Sequence, residues 1–182
     1  MTTCVKGKSA VAGVSRRAGR VILAVACSMS YAVLPAMEII DDPAATGAVT
    51  IKDGAANVLT YRYGDQLPDG VDIRYTRSSY IHPLWAPDGS VLTDDFPKDH
   101  YHHHGIFWGW PVVKTRDVTS DNWMYGDPSL RHHFVRWLRK ESTSDTATLS
   151  AENRWLLDGS ETVAREEVTL KAHAVKNGAR AI

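Results

Sequence analysis

Short segments of alternating apolar and polar residues, separated by turn sequences, run through the chain after residue 48. Successive side chains of a strand point to opposite faces, so this alternation predicts half-buried strands. Turn sequences such as Asp53-Gly54 and Asp158-Gly159 separate them, and the second predicts a hairpin. The segments are 49–52, 57–63, 73–85, 106–113, 132–139, 146–157 and 162–173.

No window shows a sustained helical period with capping residues. Segment 162–173 has a Glu and Arg content that suits a helix, but its alternation directly after a hairpin turn favours a strand. The aromatic content, with six Trp and seven Tyr, suits a sandwich with aromatic pockets. The sequence therefore predicts an all-β fold, an antiparallel β-sandwich.

The first 36 residues differ from the rest of the chain. Residues 1–20 carry five basic side chains and no acid, and residues 21–36 are almost wholly apolar. This order predicts a secretory signal peptide cleaved after Ala36, and so a periplasmic or secreted protein. Three alternatives remain open: a lipoprotein signal at Cys27, a twin-arginine signal at Arg16-Arg17, and a wrongly assigned start codon. We interpret residues 37–48 as a polar linker and residues 49–182 as the domain.

The net charge excludes some classes of partner, and the positions of the cysteines exclude a disulfide in the domain. After residue 36 the chain has 21 acidic residues against 16 Lys and Arg, a net charge of −5. A surface of this sign argues against nucleic acid and against an anionic membrane as partner. Both cysteines, Cys4 and Cys27, precede residue 37, so we expect the domain to be held by its core without a disulfide. The histidine-rich loop described below makes a small molecule or a glycan the expected partner.

Histidines are concentrated in and after a polar loop, residues 92–105. Six of the eight lie between residues 100 and 133: His100, His102, His103, His104, His132 and His133. In an extended segment His100, His102 and His104 would share one side, with His103 on the other.

Four interpretations of this cluster remain open. Three imidazoles could bind a divalent metal ion, completed by Asp99 or Asp121, although no cofactor is required by the sequence. Imidazole also suits general acid–base catalysis. A third interpretation is sugar binding with a stacking ring from Trp108, Trp110 or Trp123, and the fourth is a structural role in which buried histidines bond backbone carbonyls.

Two further groups are weaker candidates. Asp94 and Asp95 could form a carboxylate pair, but a solvated turn is the simpler expectation. Arg62, Arg74 and Arg77 alternate with aromatic residues and could face an anionic ligand, but a solvated strand face is the safer interpretation.

The loop and its surroundings resemble a bacterial family commonly labelled "methane oxygenase PmoA". The shared pattern is His82-Pro83-Leu84, then Pro87-Asp88-Gly89, then the block from Asp95 to Gly109 that contains Asp99-His100-Tyr101-His102-His103. Later matches are Asp121-Asn122-Trp123 and Arg131-His132, and the resemblance spans residues 59–182. The label refers to a multi-helix membrane protein, and this chain has no such segments after residue 36, so we do not transfer that activity.

The resemblance implies a fold and a set of site residues. The implied fold is a mutarotase-like supersandwich, truncated at the C-terminus of this chain because family members are longer. The implied function is the binding or processing of a carbohydrate through the histidine-rich loop, with a metal-dependent enzyme and a non-catalytic glycan-binding module as alternatives. Whether the protein is an enzyme stays undecided. The candidates are His100, His102, His103, His104 and His132 for catalysis, His82, Asp99, Trp108, Trp110, Asp121, Trp123 and Arg131 for substrate binding, and His100, His102 and His104 for a metal.

Overall fold

The computed structural model describes residues 36–42 and 47–182 of the chain. The described residues all belong to one compact unit. The predicted signal peptide falls on residues 1–36, of which all but the last lie outside the described residues.

Two antiparallel sheets form the domain, which confirms the predicted all-β sandwich. The first sheet has the order β1-β2-β3-β4 and the second the order β7-β8-β9, with β5 and β6 as a separate hairpin. The described residues contain no α-helix, only one short 3-10 turn at Ile73–Tyr75. The strands are β1 Met37–Asp42, β2 Ala48–Asp53, β3 Ala56–Arg62, β4 Tyr80–Leu84, β5 Val113–Thr115, β6 Val118–Ser120, β7 Leu130–Ser142, β8 Thr146–Leu157 and β9 Glu161–His173.

The core lies between the two sheets and takes side chains from both. The first sheet contributes Val49, Ile51 and Leu59, and the second contributes Leu149 and Ala172, all of them buried. Each large aliphatic side chain removed from water stabilises the fold by about 2 kcal/mol. At one end, an aromatic cluster adds to the contact between the sheets: Tyr61 and Tyr63 of β3 pack against Phe134 and Trp137 of β7.

The second sheet follows the sequence closely. Strand β8 has the same bounds as the predicted segment 146–157, and β7 contains all of 132–139. Segment 162–173 is a strand, because β9 pairs with β8 along its whole length after the turn at Asp158-Gly159. The register of this pair sets Trp155 opposite Ala164 and Ala151 opposite Val168.

The predicted linker, residues 37–48, is wrong in its first half. Met37–Asp42 forms β1, which pairs with β2 in register from Met37 opposite Asp53 to Asp42 opposite Ala48. Met37 is buried in the core, and its N–H donates to the carbonyl of Thr143. The segment is rich in acidic and small residues, which is typical of a linker. The burial of Met37 is not visible in the local sequence pattern.

Two predicted strands in the middle of the chain are also corrected. In segment 73–85 only Tyr80–Leu84 is a strand. In segment 106–113 most residues are irregular, and Ile106 pairs with Ile81 through a single bridge. Trp108, Trp110 and Val112 are exposed, so the apolar run does not mark a buried strand.

At Gly105 the backbone of the loop passes very close to the backbone of β4. A Cβ on this residue would lie 2.0 Å from the carbonyl oxygen of Ile81, so only glycine fits here. This approach positions the histidine loop over the end of the first sheet. Among the described residues, no helix has the length and apolar character needed to cross a membrane.

Candidate functional site

The histidine loop is not extended; it is folded into two consecutive turns. The N–H of His100 donates to the carbonyl of Pro97, and the N–H of His103 donates to the carbonyl of His100. A turn breaks the strand alternation. The prediction that His100, His102 and His104 share one side is therefore wrong.

The turns bring together a different set of rings: His100, His102 and His103. The ring centroids of His102 and His103 are 4.4 Å apart, and those of His100 and His103 are 4.9 Å apart and nearly parallel. Trp123 completes the group, stacked at 6.2 Å from His103 and edge-on at 6.1 Å from His102. Asp99 adds a carboxylate, 3.0 Å from Nδ1 of His100.

Electrostatics favour a neutral imidazole at His102. Partial burial lowers the pKa of His102, and the neighbouring His103 and His100 lower it further, while Asp121 opposes the change. A neutral ring has one nitrogen that donates and one that accepts a hydrogen bond. His102 can therefore bond a hydroxyl group in either direction.

His104 points the opposite way, into the protein. Its ring packs among those of Tyr80, Phe96 and Phe107, and its Nδ1 lies 2.9 Å from Oδ1 of Asp95. Burial lowers the pKa of His104 more than the hydrogen bond to Asp95 raises it. The neutral ring then donates from Nδ1 to Asp95 and leaves Nε2 as an acceptor.

A hydrogen-bond chain extends from this pair on both sides. Tyr80 donates its hydroxyl to Oδ2 of Asp95 at 2.8 Å, and the hydroxyl of Tyr125 lies 3.4 Å from Nε2 of His104. The same Tyr125 hydroxyl accepts from Nη1 of Arg77 at 2.9 Å. These contacts form a connected structural network beneath the loop, in which the buried Nε of Arg77 has no hydrogen-bond partner among the described residues.

The solvated interpretation was wrong for two residues of this network. Arg77 is only 2% exposed and also donates to the backbone carbonyls of Asn122 and Trp108. The Asp95 side chain is 13% exposed and fully engaged, although its neighbour Asp94 is exposed as expected. Adjacent residues face opposite ways here, which gives the two carboxylates separate roles.

An open cleft of about 710 Å³ lies beside the loop. Its walls combine carboxylate, hydroxyl and imidazole groups with two aromatic rings. The lining residues are Leu92, Thr93, Asp94, Pro97, His103, His104, Gly105, Phe107, Gly109 and Trp123. This volume lies within the usual range of small-molecule sites.

Two of the predicted substrate-binding residues, Asp121 and His82, do not line the cleft but form hydrogen bonds that position residues lining it. One carboxylate oxygen of Asp121 accepts the backbone N–H groups of Trp123 and Met124, at 2.6 and 2.9 Å, and so shapes the turn that carries Trp123. Nδ1 of His82 lies 3.0 Å from the hydroxyl of Thr93, which also accepts the N–H of Leu84. These two residues position Trp123 and Thr93.

The remaining predicted site residues lie elsewhere. His132 is buried against Trp155, with ring centroids 4.7 Å apart, and Trp110 packs on the same tryptophan. Arg131 donates to the carbonyls of Thr76 and Arg74. Trp108 is exposed and lines a different cleft.

The proposed metal set is not brought together. His100 and His102 lie in the partly exposed cluster with His103, while His104 is turned inward to Asp95. Within residues 36–42 and 47–182, no group of three or more His, Cys, Asp or Glu side chains is arranged to hold a metal ion.

Sequence reasoning missed four residues of the cleft and its support, and it interpreted a fifth, Asp95, as part of a solvated turn. Thr93 and Phe107 line it, and Asp95 with Tyr80 and Tyr125 holds His104. The one available signal was that Asp95 and Phe107 stand inside the block that carries the family resemblance. The arrangement strains the backbone, since Phe96 and Tyr125 adopt positive φ angles of 50° and 59°.

Comparison with known proteins assigns the family. The model of DUF6807, a family of unknown function, matches residues 48–182. The chain belongs to this family. Neither the curated proteins nor the solved structures contain a significant match. Both the cleft and the network beneath it lie inside the DUF6807 region, whereas β1 precedes it.

Proposed function

We propose that this DUF6807 domain binds a carbohydrate in the open cleft beside the histidine loop. The observation that carries the proposal is the grouping of Trp123 with His102 and His103 at the rim of a polar cleft. An indole ring offers an apolar face to the C–H side of a sugar ring, while imidazole, hydroxyl and carboxylate groups bond its hydroxyls.

The lining chemistry also supports a step beyond binding. Asp94 and His103 line the same cleft, so a carboxylate and an imidazole face one ligand. Such a pair is what acid–base work on a sugar oxygen requires. A non-catalytic glycan-binding module would use the same residues to hold the sugar. A turnover assay distinguishes the two functions.

The resemblance to the family labelled "methane oxygenase PmoA", with its mutarotase-like supersandwich, is consistent with a carbohydrate ligand. This support is analogy at the level of fold, and the site chemistry carries the argument.

We also propose that the protein is exported to the periplasm or beyond. The support is the basic and then apolar order of residues 1–36. Expression in a Gram-negative host followed by N-terminal sequencing of the periplasmic fraction should yield Met37 as the first residue. A lipidated Cys27 would establish the lipoprotein alternative, and stable folded protein in the cytoplasm that retains Met1 would contradict export.

Saturation-transfer NMR with a panel of hexoses, uronic acids and disaccharides tests the ligand class on the purified full chain. We expect at least one sugar to bind and Trp123→Ala to weaken its binding at least tenfold. The substitution removes the stacking ring while the turn made by Asp121 remains.

Trp110→Ala is the matched control, because Trp110 is about half exposed and lies outside the cleft. Its sugar affinity should stay within twofold of the wild type. Equal losses in both variants, or no binding across the panel, would overturn the carbohydrate proposal. A turnover assay on the bound sugar, with His103→Ala, then separates an enzyme from a binding module.

A further inference from the structure

A second cleft, on the other side of Phe107, is separate from the proposed sugar site. It has a volume of about 300 Å³ and lies between the end of the first sheet and strand β9. Its walls are largely apolar: Tyr61, Tyr80, Ile81, Ile106, Phe107, Trp108, Val168 and Leu170. Ser79, Glu166 and Thr169 supply the polar part of the lining.

The polar end of this cleft is built around Glu166. The amide nitrogen of Asn153, which is fully buried, donates to a carboxylate oxygen of Glu166 at 3.0 Å and to the hydroxyl of Tyr61 at 3.3 Å. Asn153 therefore holds the carboxylate and the phenol side by side. Within the described residues the carboxylate of Glu166 forms no ion pair with a cationic side chain.

Ser79 adds a second polar group with unused bonding capacity. Its hydroxyl is close enough to lower the pKa of Tyr61, yet it makes no hydrogen bond of normal geometry among the described residues. Its backbone has a φ of 63°, in the left-handed region that a serine rarely adopts. Strain of this kind is retained where the surrounding structure requires one side-chain direction.

We propose that this cleft binds a small organic ammonium ion with an aromatic or alkyl body. An apolar cavity with a few convergent polar groups is the usual form of a small-molecule site. The polar end of the cleft favours a cation, because the carboxylate of Glu166 is negatively charged. The hydroxyl oxygens of Tyr61 and Ser79, which line the same cleft, can also accept hydrogen bonds from an ammonium group. The aromatic walls favour the same ligand, since the faces of Tyr and Trp rings attract cations. The inference is independent of the sugar proposal, because it uses neither Trp123 nor the histidine loop.

Ligand-observed NMR and calorimetry on the full chain test the proposal, with 2-phenylethylamine as the probe. The amine should bind, and 2-phenylethanol and 3-phenylpropionate should bind at least tenfold more weakly. Glu166→Gln should weaken the amine tenfold or more, and it keeps an oxygen that can accept from Asn153. Val168→Trp should abolish binding by filling the cleft.

Glu167→Gln is the matched control, because Glu167 is the next residue, carries the same charge, is exposed, and does not line the cleft. Its affinity for the amine should equal that of the wild type. The proposal is overturned if the amine does not bind, if the alcohol and the acid bind as well as the amine, or if Glu167→Gln weakens binding as much as Glu166→Gln does. Sugar binding measured on the Glu166→Gln variant should be unchanged, which distinguishes this cleft from the first.

Discussion

Nδ1 of His104 lies 2.9 Å from Oδ1 of Asp95, and the His104 side chain is fully shielded from solvent. The contact divides the histidines of the loop into two classes. His104 is part of a buried network, whereas His100, His102 and His103 form a partly exposed group next to the cleft. Residues that look equivalent in the sequence should therefore respond differently to the same substitution.

Replacement of His104 by Ala should destabilise the domain by about 3 kcal/mol. The change leaves a cavity among aromatic rings and removes the partner of the largely buried Asp95 carboxylate. His102→Ala should change the free energy of unfolding by less than about 0.5 kcal/mol, since His102 is partly exposed and makes no hydrogen bond to the network. Urea denaturation of the two variants measures the difference. Similar losses in both would show that the exposed histidines are structural as well.

The buried His132 should make the free energy of unfolding depend on pH. Burial, with Arg77 as the second cause, lowers the pKa of His132 to about 3, and neither ring nitrogen has a hydrogen-bond partner among the described residues. An unfolded chain protonates the same residue near pH 6.5, so the unfolded state binds more protons between these values. The contribution is therefore fully present above about pH 6.5 and is lost progressively as the pH falls towards 3.

From pH 7 to pH 5 this residue alone should lower the free energy of unfolding by about 2 kcal/mol. His132→Phe should remove that part of the pH dependence, because phenylalanine keeps the packing on Trp155 and does not titrate. His133→Gln, at the exposed neighbouring position, should keep it. Denaturation curves at both pH values provide the measurement, and identical slopes for His132→Phe and wild type would contradict the assignment.

Arg77 should be a main stabilising residue of the irregular middle of the chain. Its guanidinium bonds the carbonyls of Trp108 and Asn122 and the hydroxyl of Tyr125, and so connects two loops. Arg77→Met removes the donors and leaves buried acceptors unpaired, at a cost of about 3 kcal/mol or more. Arg74→Met, at an exposed position, should cost less than about 0.5 kcal/mol. Thermal or urea unfolding distinguishes them, and a small effect at Arg77 would mean that the network is not needed.

Asp121 should control the order of the turn that carries Trp123. Asp121→Ala removes the acceptor of two backbone N–H groups, and we expect a local loss of about 1 kcal/mol. Hydrogen exchange followed by mass spectrometry should show faster exchange of the segment around Trp123 and Met124. Asp117→Ala, in the exposed turn between β5 and β6, should leave that segment unchanged. Unaltered exchange in Asp121→Ala would indicate that the turn is held by other contacts.

Strand β1 should be essential to the first sheet. Met37 is 2% exposed, and Met37→Ala should destabilise the domain by about 2–4 kcal/mol through loss of a buried side chain. Ile40 is 40% exposed on the same strand, so Ile40→Ala should cost less than about 1 kcal/mol. If Met37→Ala and Ile40→Ala both shift the unfolding midpoint only slightly and equally, the result would favour the interpretation of residues 37–48 as a linker.

The sequence by itself determined the fold class and the second sheet. Period-two alternation and the Asp158-Gly159 turn are local signals, and they were sufficient for β7, β8 and β9. Local signals failed where burial depended on distant partners. Met37 becomes a core residue only by pairing with β2, and the apolar run at residues 106–113 stays largely exposed because it crosses the end of the sheet instead of joining it.

The sequence also indicated the region of the candidate site, while the tertiary structure decided which side chains line it. The density of histidines pointed to the loop at residues 92–105, but two turns, and not alternation, set the directions of the rings. His104 turned inward because Asp95 and Tyr125, nine and twenty-one residues away, offer hydrogen-bond partners in a buried setting. Trp123 reached the cleft because Asp121 bends the chain behind it. Such long-range pairings minimise unpaired polar groups across the whole fold, and no local pattern of residues contains that information.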